Sequence, residues 1–315
     1  MSAPQFYDRF RGEVAKALVG QDEAIRLCAV ALVAGGHVLV EGVPGLGKTL
    51  LAKSIARVLQ LEYRRVQFTP DLMPADIVGT SVYDLGAREF RVRPGPIFAN
   101  VVLADEINRA PAKVQAALLE SMEEGGVTLE GEQMPLPNPF IVLATQNPIE
   151  YEGTYNLPEA QQDRFLFKVV LDYPTPGQEE EVLARWDRGV ELRDPEKAGV
   201  QRVLTAADLM QCRLEAQAVT ADAGIRRYIV ELAHATRESP ELMLGASTRA
   251  AVMLLLATKA AAALEGRDFV TPDDVKELLP ACFRHRLILR PEAEVAGQTV
   301  DGCLAAVALR VTPPR

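Results

Sequence analysis

A chain of 315 residues, 48% of them hydrophobic, can form two domains or one large one and carries too much apolar side chain for a disordered protein. A formal charge of −9 weighs against a protein that tracks a nucleic-acid backbone, because that role needs a stripe of Lys and Arg. The four cysteines, at 28, 212, 282 and 303, form no CxxC pair and have no short spacing to His37, His234 or His285, so these residues read as structural rather than as a metal or disulfide framework.

The first ten residues lack the apolar core of a signal peptide. The apolar stretches 27–40 and 250–257 are interrupted or too short to cross a bilayer, so a cytosolic protein without membrane insertion is expected. From residue 37 to about 173, short apolar runs alternate with helical patterns, the mark of a parallel sheet flanked by helices. The runs are 37–41, 64–68, 101–104, 140–145 and 165–171, and their near-continuous apolar character predicts strands covered on both faces.

After the first run comes Gly42-Val43-Pro44-Gly45-Leu46-Gly47-Lys48-Thr49, which fits GxxxxGK[ST]. Leu51, Ile55, Val58 and Leu59 follow at helical spacing, so the motif sits between a strand and a helix as a phosphate-binding loop must. Glycines let backbone N–H groups wrap a phosphate, and the helix N-terminus adds positive partial charge. The pattern points to ATP, with Gly42, Pro44, Gly45, Leu46, Gly47, Lys48, Thr49 and Leu50 as the contact set. Lys48 would reach the β- and γ-phosphates, and Thr49 would hold Mg2+.

Two hairpins are expected in the regions 79–96 and 124–139. The first pairs 81–84 with 89–93 about a turn at 85–88, with Phe90 and Val92 on one face and Arg91 and Arg93 on the other; the second pairs 127–129 with 133–136 about Glu130-Gly131. They fit surface loops as well as functional inserts. The run 101–104 ends in Asp105-Glu106, a Walker B arrangement in which Asp105 assists Mg2+ and Glu106 orients the attacking water. Asn108-Arg109 and Pro111 then lead into a helix carrying Val114, Leu118 and Met122; Arg109 suits either a subunit interface or an ion pair with the acidic run 120–124.

At the end of the run 140–145, Asn147 suits either a γ-phosphate and water contact or a plain Asn-Pro turn with Pro148. Tyr173-Pro174-Thr175-Pro176-Gly177 can neither extend a strand nor enter a helix smoothly, and it is the expected boundary between a nucleotide-binding domain, 1–174, and a helical lid, 178–315. Helices are predicted at 178–186, 206–217, 222–237, 247–265 and 272–279. Ile225, Ile229, Leu232 and Ala233 make one buried stripe, and Thr271 caps a helix that opens on Pro272 with Asp273 and Asp274 in its first turn.

The succession GVPGLGKT, VVLADEINRAP, LATQNP, EAQQDRF and GASTRA resembles the MoxR family of AAA+ ATPases over nearly the whole chain. The resemblance implies that Val19, Gly20 and Gln21 border the adenine base. It also implies that Asn147 is sensor 1, Arg164 the arginine finger acting on a neighbouring subunit, and Arg249 sensor 2; Thr248 stands where relatives commonly carry proline. Arg249 falls in the first turn of a predicted helix, where a cation is disfavoured unless an anion is near; a phosphate or a surface carboxylate satisfies that equally. Arg164, at the end of a helical pattern, is a favourable cation even without a ligand.

The hairpins match the family's helix-2 insert and pre-sensor-1 hairpin. A strand order 5-1-4-3-2, an all-helical lid and a hexameric ring are implied as well. So is chaperone-like maturation of a client protein with a von Willebrand factor A domain. Two other readings fit an ATPase of this design: a nucleotide-gated switch with slow turnover, and a nucleic-acid motor, which the acidic balance disfavours.

Overall fold

Five of the apolar runs become the strands of one parallel sheet: β1 Val38–Glu41, β2 Tyr63–Gln67, β3 Val101–Asp105, β4 Ile141–Gln146 and β5 Phe167–Val170. They belong to a computed structural model that describes residues 1–84, 86, 88–129, 131–147, 155 and 157–314. Their order across the sheet is β2-β3-β4-β1-β5, which read from the other edge is the 5-1-4-3-2 succession that the resemblance implies.

Side chains alternate between faces along a strand, and the two faces feed different cores. Val38, Val40, Val101, Leu103, Ile141 and Leu143 enter one hydrophobic cluster, while Leu39, Val102, Ala104, Val142 and Ala144 enter the other. Helices cover both faces, which is why the runs read as continuously apolar. β2 is an edge strand, and its Arg64 and Arg65 are exposed.

Parallel pairing aligns the carboxyl ends of the strands. Gln67 stands opposite Asp105, Ala104 opposite Ala144, and Glu41 opposite Gln146. In open α/β sheets ligands bind outside that edge.

Both hairpins form. Gly79–Asp84 pairs with Glu89–Pro94, and Gly126–Leu129 with Glu132–Pro135. The turns foreseen for them include Leu85, Ala87 and Glu130, and the Asn-Pro turn includes Pro148; these residues lie outside the described ones, as does the side chain of Phe90. Helix Ala112–Glu124 buries Val114, Leu118 and Met122, with Pro111 at its cap.

Beyond the sheet lie helices Pro176–Asp187, Ala206–Ala218, Ala223–Arg237, Thr248–Leu264, Pro272–Phe283 and Val300–Arg310. Thr205, Asp222, Ser247, Thr271 and Thr299 each accept a backbone N–H at the start of a helix, which satisfies a donor that the helix itself leaves open. The stripe Ile225, Ile229, Leu232 and Ala233 is buried. Helix Pro272–Phe283 continues through Pro280, because Ala281, Cys282 and Phe283 are held in the core. A short antiparallel pair, Leu242–Leu244 with Ile288–Leu289, adds to this helical lid.

The lid helix Val300–Arg310 is new relative to the sequence reading, and so are helices Ala3–Val14 and Asp22–Ala34. The latter two pack on the lid helices Ala206–Ala218 and Thr248–Leu264. Asp22–Ala34 is buried at nearly every position from Ala24 to Val33, so it has no polar face from which a helical period can be read. The four cysteines are buried and free, in keeping with their reading as small apolar side chains.

Candidate functional site

The loop after β1 turns on Gly45, φ +94, and Gly47, φ +87, a region in which an L side chain is strained. At Gly45 an added Cβ would meet nothing within 4 Å, so conformation and not crowding is what calls for glycine there. Gly47 caps helix Lys48–Val58, whose first turn directs its free N–H groups into the loop. Lys48 Nζ donates to the carbonyl oxygens of Gly42 and, at 3.4 Å, Gln146, so it reaches from the loop to the tip of β4. The cleft beside this loop has a volume of about 900 Å3. Pro44, Gly45, Leu46, Gly47, Lys48, Thr49 and Leu50 line it, together with Asp105, Glu106 and Asn147.

Three neighbours that the sequence did not single out hold the two carboxylates. Asp105 Oδ1 accepts from Thr145 Oγ1 at 2.6 Å, and Oδ2 accepts from Arg65 Nε at 2.9 Å and Nη2 at 2.6 Å. Glu106 has φ +57, a left-handed conformation costing roughly 1–2 kcal/mol for a residue with a Cβ. Its N–H donates to Thr145 Oγ1 at 2.9 Å, which helps to hold that turn. Gln67 Nε2 donates to Glu106 Oε2 at 2.7 Å, and Arg109 Nε lies 3.2 Å from the same oxygen. Arg65 and Gln67 sit on β2 in register with β3, so sheet topology alone brings them here.

The far end of the cleft has different chemistry. Val19 and Gln21 line it with Tyr173, Pro174, Leu183 and Trp186, and the Arg193 guanidinium lies 5.7 Å from the Trp186 ring centre. This half-exposed, largely apolar wall suits a flat heterocycle, while the glycine loop suits an anion. Gln21 Nε2 donates to Asp172 O at 3.1 Å and so ties the 19–21 segment to the end of β5. At Gly20, φ +76, the turn takes a conformation that favours glycine, and the Gln178 side-chain amide of helix Pro176–Asp187 lies against it.

Arg164 and Arg249 do not line this cleft. Both reach Glu123: Arg164 Nη2 lies 2.7 Å from Oε2, and Arg249 Nη2 lies 2.6 Å from Oε1. Arg249 does stand in the first turn of helix Thr248–Leu264, but the anion beside it is this carboxylate.

The chain matches the model of the ATPase family associated with various cellular activities over residues 37–167, and an AAA lid domain over residues 234–302. It is 46% identical to Chaperone MoxR1 of Mycobacterium tuberculosis over 290 residues, covering 89% of this chain and 75% of that one. The YeaC protein of Bacillus subtilis is 44% identical over 301 residues, 95% of this chain and 92% of its own length. A crystal structure from Cytophaga hutchinsonii, described as that of a candidate ATPase, superposes with a TM-score of 0.88 at 41% identity, covering 99% of this chain and 97% of the other. With the glycine loop, the paired carboxylates and the strand order in place, the chain belongs to the MoxR family of AAA+ ATPases and is an ATPase.

Proposed function

We propose that the cleft binds ATP with Mg2+ and that hydrolysis there drives chaperone-like remodelling of a partner protein. One observation carries the nucleotide reading: a single cleft joins the Lys48-Thr49 loop, the carboxylates Asp105 and Glu106, and Asn147 to an apolar wall at the other end. In this reading Lys48 neutralises the β- and γ-phosphates, Glu106 positions the attacking water, and Asn147 hydrogen-bonds the γ-phosphate. Val19, Gly20 and Gln21 border the base.

The donors fit Mg2+ as well. Thr49 and Asp105 would hold the ion, and the hydrogen bonds that Thr145 and Arg65 donate to Asp105 keep its carboxylate at the edge of the cleft. When bound, that ion supplies charge neutralisation at the phosphate oxygens. Gln67 and Arg109 hold the Glu106 carboxylate in a set direction, so exchange of those partners would control when it meets water.

Arg164 acts from one subunit on the nucleotide of the next, within a ring that the family resemblance makes hexameric. The working division is a nucleotide domain, 1–174, and a lid, 178–315. A client with a von Willebrand factor A domain and a cytoplasmic setting complete the reading. No helix among the described residues is long and apolar enough to cross a membrane.

Glu106→Gln is the test. Calorimetry with ATP and Mg2+ should show uptake close to wild type, while turnover falls about 10²-fold or more. The trapped variant should also retain its client in a pull-down with ATP. Full turnover in this variant would remove the role given to Glu106, and a folded wild type that takes up no adenine nucleotide would remove the site.

A further inference from the structure

Asp105 and Glu106, at the phosphate end of the cleft, are each paired with a guanidinium that does not itself line the cleft. Arg65 meets Asp105 Oδ2 through both Nε, at 2.9 Å, and Nη2, at 2.6 Å, while Arg109 Nε lies 3.2 Å from Glu106 Oε2. The Asp105 side chain is only 9% exposed and that of Arg65 is 48% exposed. A nearly buried anion is thus neutralised by a cation that stands on the edge strand of the sheet.

Strand register makes this contact possible. β2 and β3 pair with Arg65 opposite Leu103 and Gln67 opposite Asp105, so Arg65 reaches its carboxylate diagonally, two positions along the neighbouring strand. Residues two apart share a strand face, and Arg65 Nη2 also donates to Gln67 Oε1 at 2.6 Å. Gln67 in turn donates Nε2 to Glu106 Oε2 at 2.7 Å. One guanidinium therefore fixes Asp105 directly and Glu106 through the amide of Gln67, whose oxygen it occupies and whose NH2 group it turns toward Glu106.

We propose that Arg65 is a positioning residue that loosens the linkage between metal and nucleotide. The inference rests on the reading of the cleft as a site for ATP with Mg2+. A triphosphate must settle beside two carboxylates. Without a paired cation, Asp105 would repel a phosphate that lacks its ion and would attract the ion once the phosphate is in place. Both effects raise the positive coupling between the two ligands. Arg65 lowers both, because Asp105 and Arg65 together carry no net charge. Lys48 and the loop amides then hold nucleotide with or without the ion, while Asp105 stays oriented toward the ion without collecting one by itself.

The test is the affinity of the full chain for adenylyl imidodiphosphate, an ATP analogue that resists hydrolysis, measured by calorimetry with excess Mg2+ and again with EDTA. The dissociation constant in EDTA divided by that in Mg2+ reads the linkage and is independent of turnover. Arg65→Gln should raise this ratio about three- to tenfold, the worth of an ion pair of this exposure. Arg65→Lys, which keeps the charge, should stay within about twofold of wild type. Arg65 is half exposed on an edge strand, so neither replacement opens a cavity in the core.

A ratio that stays at the wild-type value in Arg65→Gln, or falls, overturns the proposal. An equal loss of affinity in both buffers is one such result, and it marks Arg65 as a structural support alone. A rise shared by Arg65→Lys overturns it too, because the effect would then come from hydrogen-bond geometry and not from charge. A folded wild type that binds the analogue in neither buffer is a different failure, that of the ATP site, and it shows before any variant is made.

Discussion

His37 shows how tightly one side chain is committed by its surroundings. Nδ1 accepts the Val142 N–H at 3.0 Å, and Nε2 lies 3.3 Å from Met122 O, so the neutral ring with its proton on Nε2 satisfies both nitrogens. Burial pushes its pKa down to about 4, and burial likewise pushes His285 well below the ordinary value. In the unfolded chain His37 titrates near the ordinary histidine value of 6.5, so between that pH and about 4 the unfolded state holds more protons. Its contribution is complete above pH 6.5 and fades as the pH falls. We expect His37 alone to remove about 2 kcal/mol of stability between pH 7 and pH 5. Urea unfolding at the two pH values checks this: His37→Gln should show a smaller loss than wild type, and equal losses would discount the residue.

Carboxylates, by contrast, are governed here by neighbours on adjacent strands. Asp105 and Glu106 were legible because they end an apolar run, while Arg65, Gln67 and Thr145 were not: the resemblance implied the order of the strands, but not the register that sets these side chains beside the carboxylates.

At the level of elements, caps carry information out of proportion to their size. Ser247 accepts the Ala250 N–H at 3.0 Å as an ordinary cap and also donates to Asp163 in the other lobe. Thr299 caps helix Val300–Arg310 through the Gly302 N–H at 3.0 Å. Thr299→Ala should therefore cost about 1 kcal/mol, the common value for a lost cap. Ser247→Ala should cost measurably more, because it also strips a partner from Asp163; chemical denaturation of the two variants side by side decides, and equal losses would deny the cross-lobe contribution. The five strands, both hairpins and the lid helices up to Pro272–Phe283 followed from period and punctuation, while helix Val300–Arg310 did not. Helix Asp22–Ala34 escaped because it is apolar on nearly all sides, and helix Pro272–Phe283 outran its predicted end because packing at Ala281, Cys282 and Phe283 outweighs the break expected at Pro280.

For the molecule as a whole, one hydrophobic cluster passes from Phe6 and Ile25 in the N-terminal helices, through Leu51 and Ile55 under the phosphate loop, to Leu254, Leu278 and Leu304 in the lid. Lobes that share a core are expected to unfold together. Trp186, the single tryptophan, stands at the cleft between them and reports on that region, while far-UV circular dichroism reports on all the helices. The two signals should give coincident urea midpoints; separate transitions would mean that lid and ATPase lobe are independent units.

Local chemistry is written along the chain. A glycine loop, a carboxylate pair at a strand end and a capping residue each act through neighbours a few positions away, so the ATPase identity, the strands and the phosphate end of the cleft were determined by the sequence alone. Contacts between segments far apart in the chain had to wait for the fold. The strand neighbours that hold Asp105 and Glu106, the apolar wall around Trp186 and the meeting of Arg164 with Arg249 on Glu123 depend on strand order and on how the lid packs, and no local pattern encodes either.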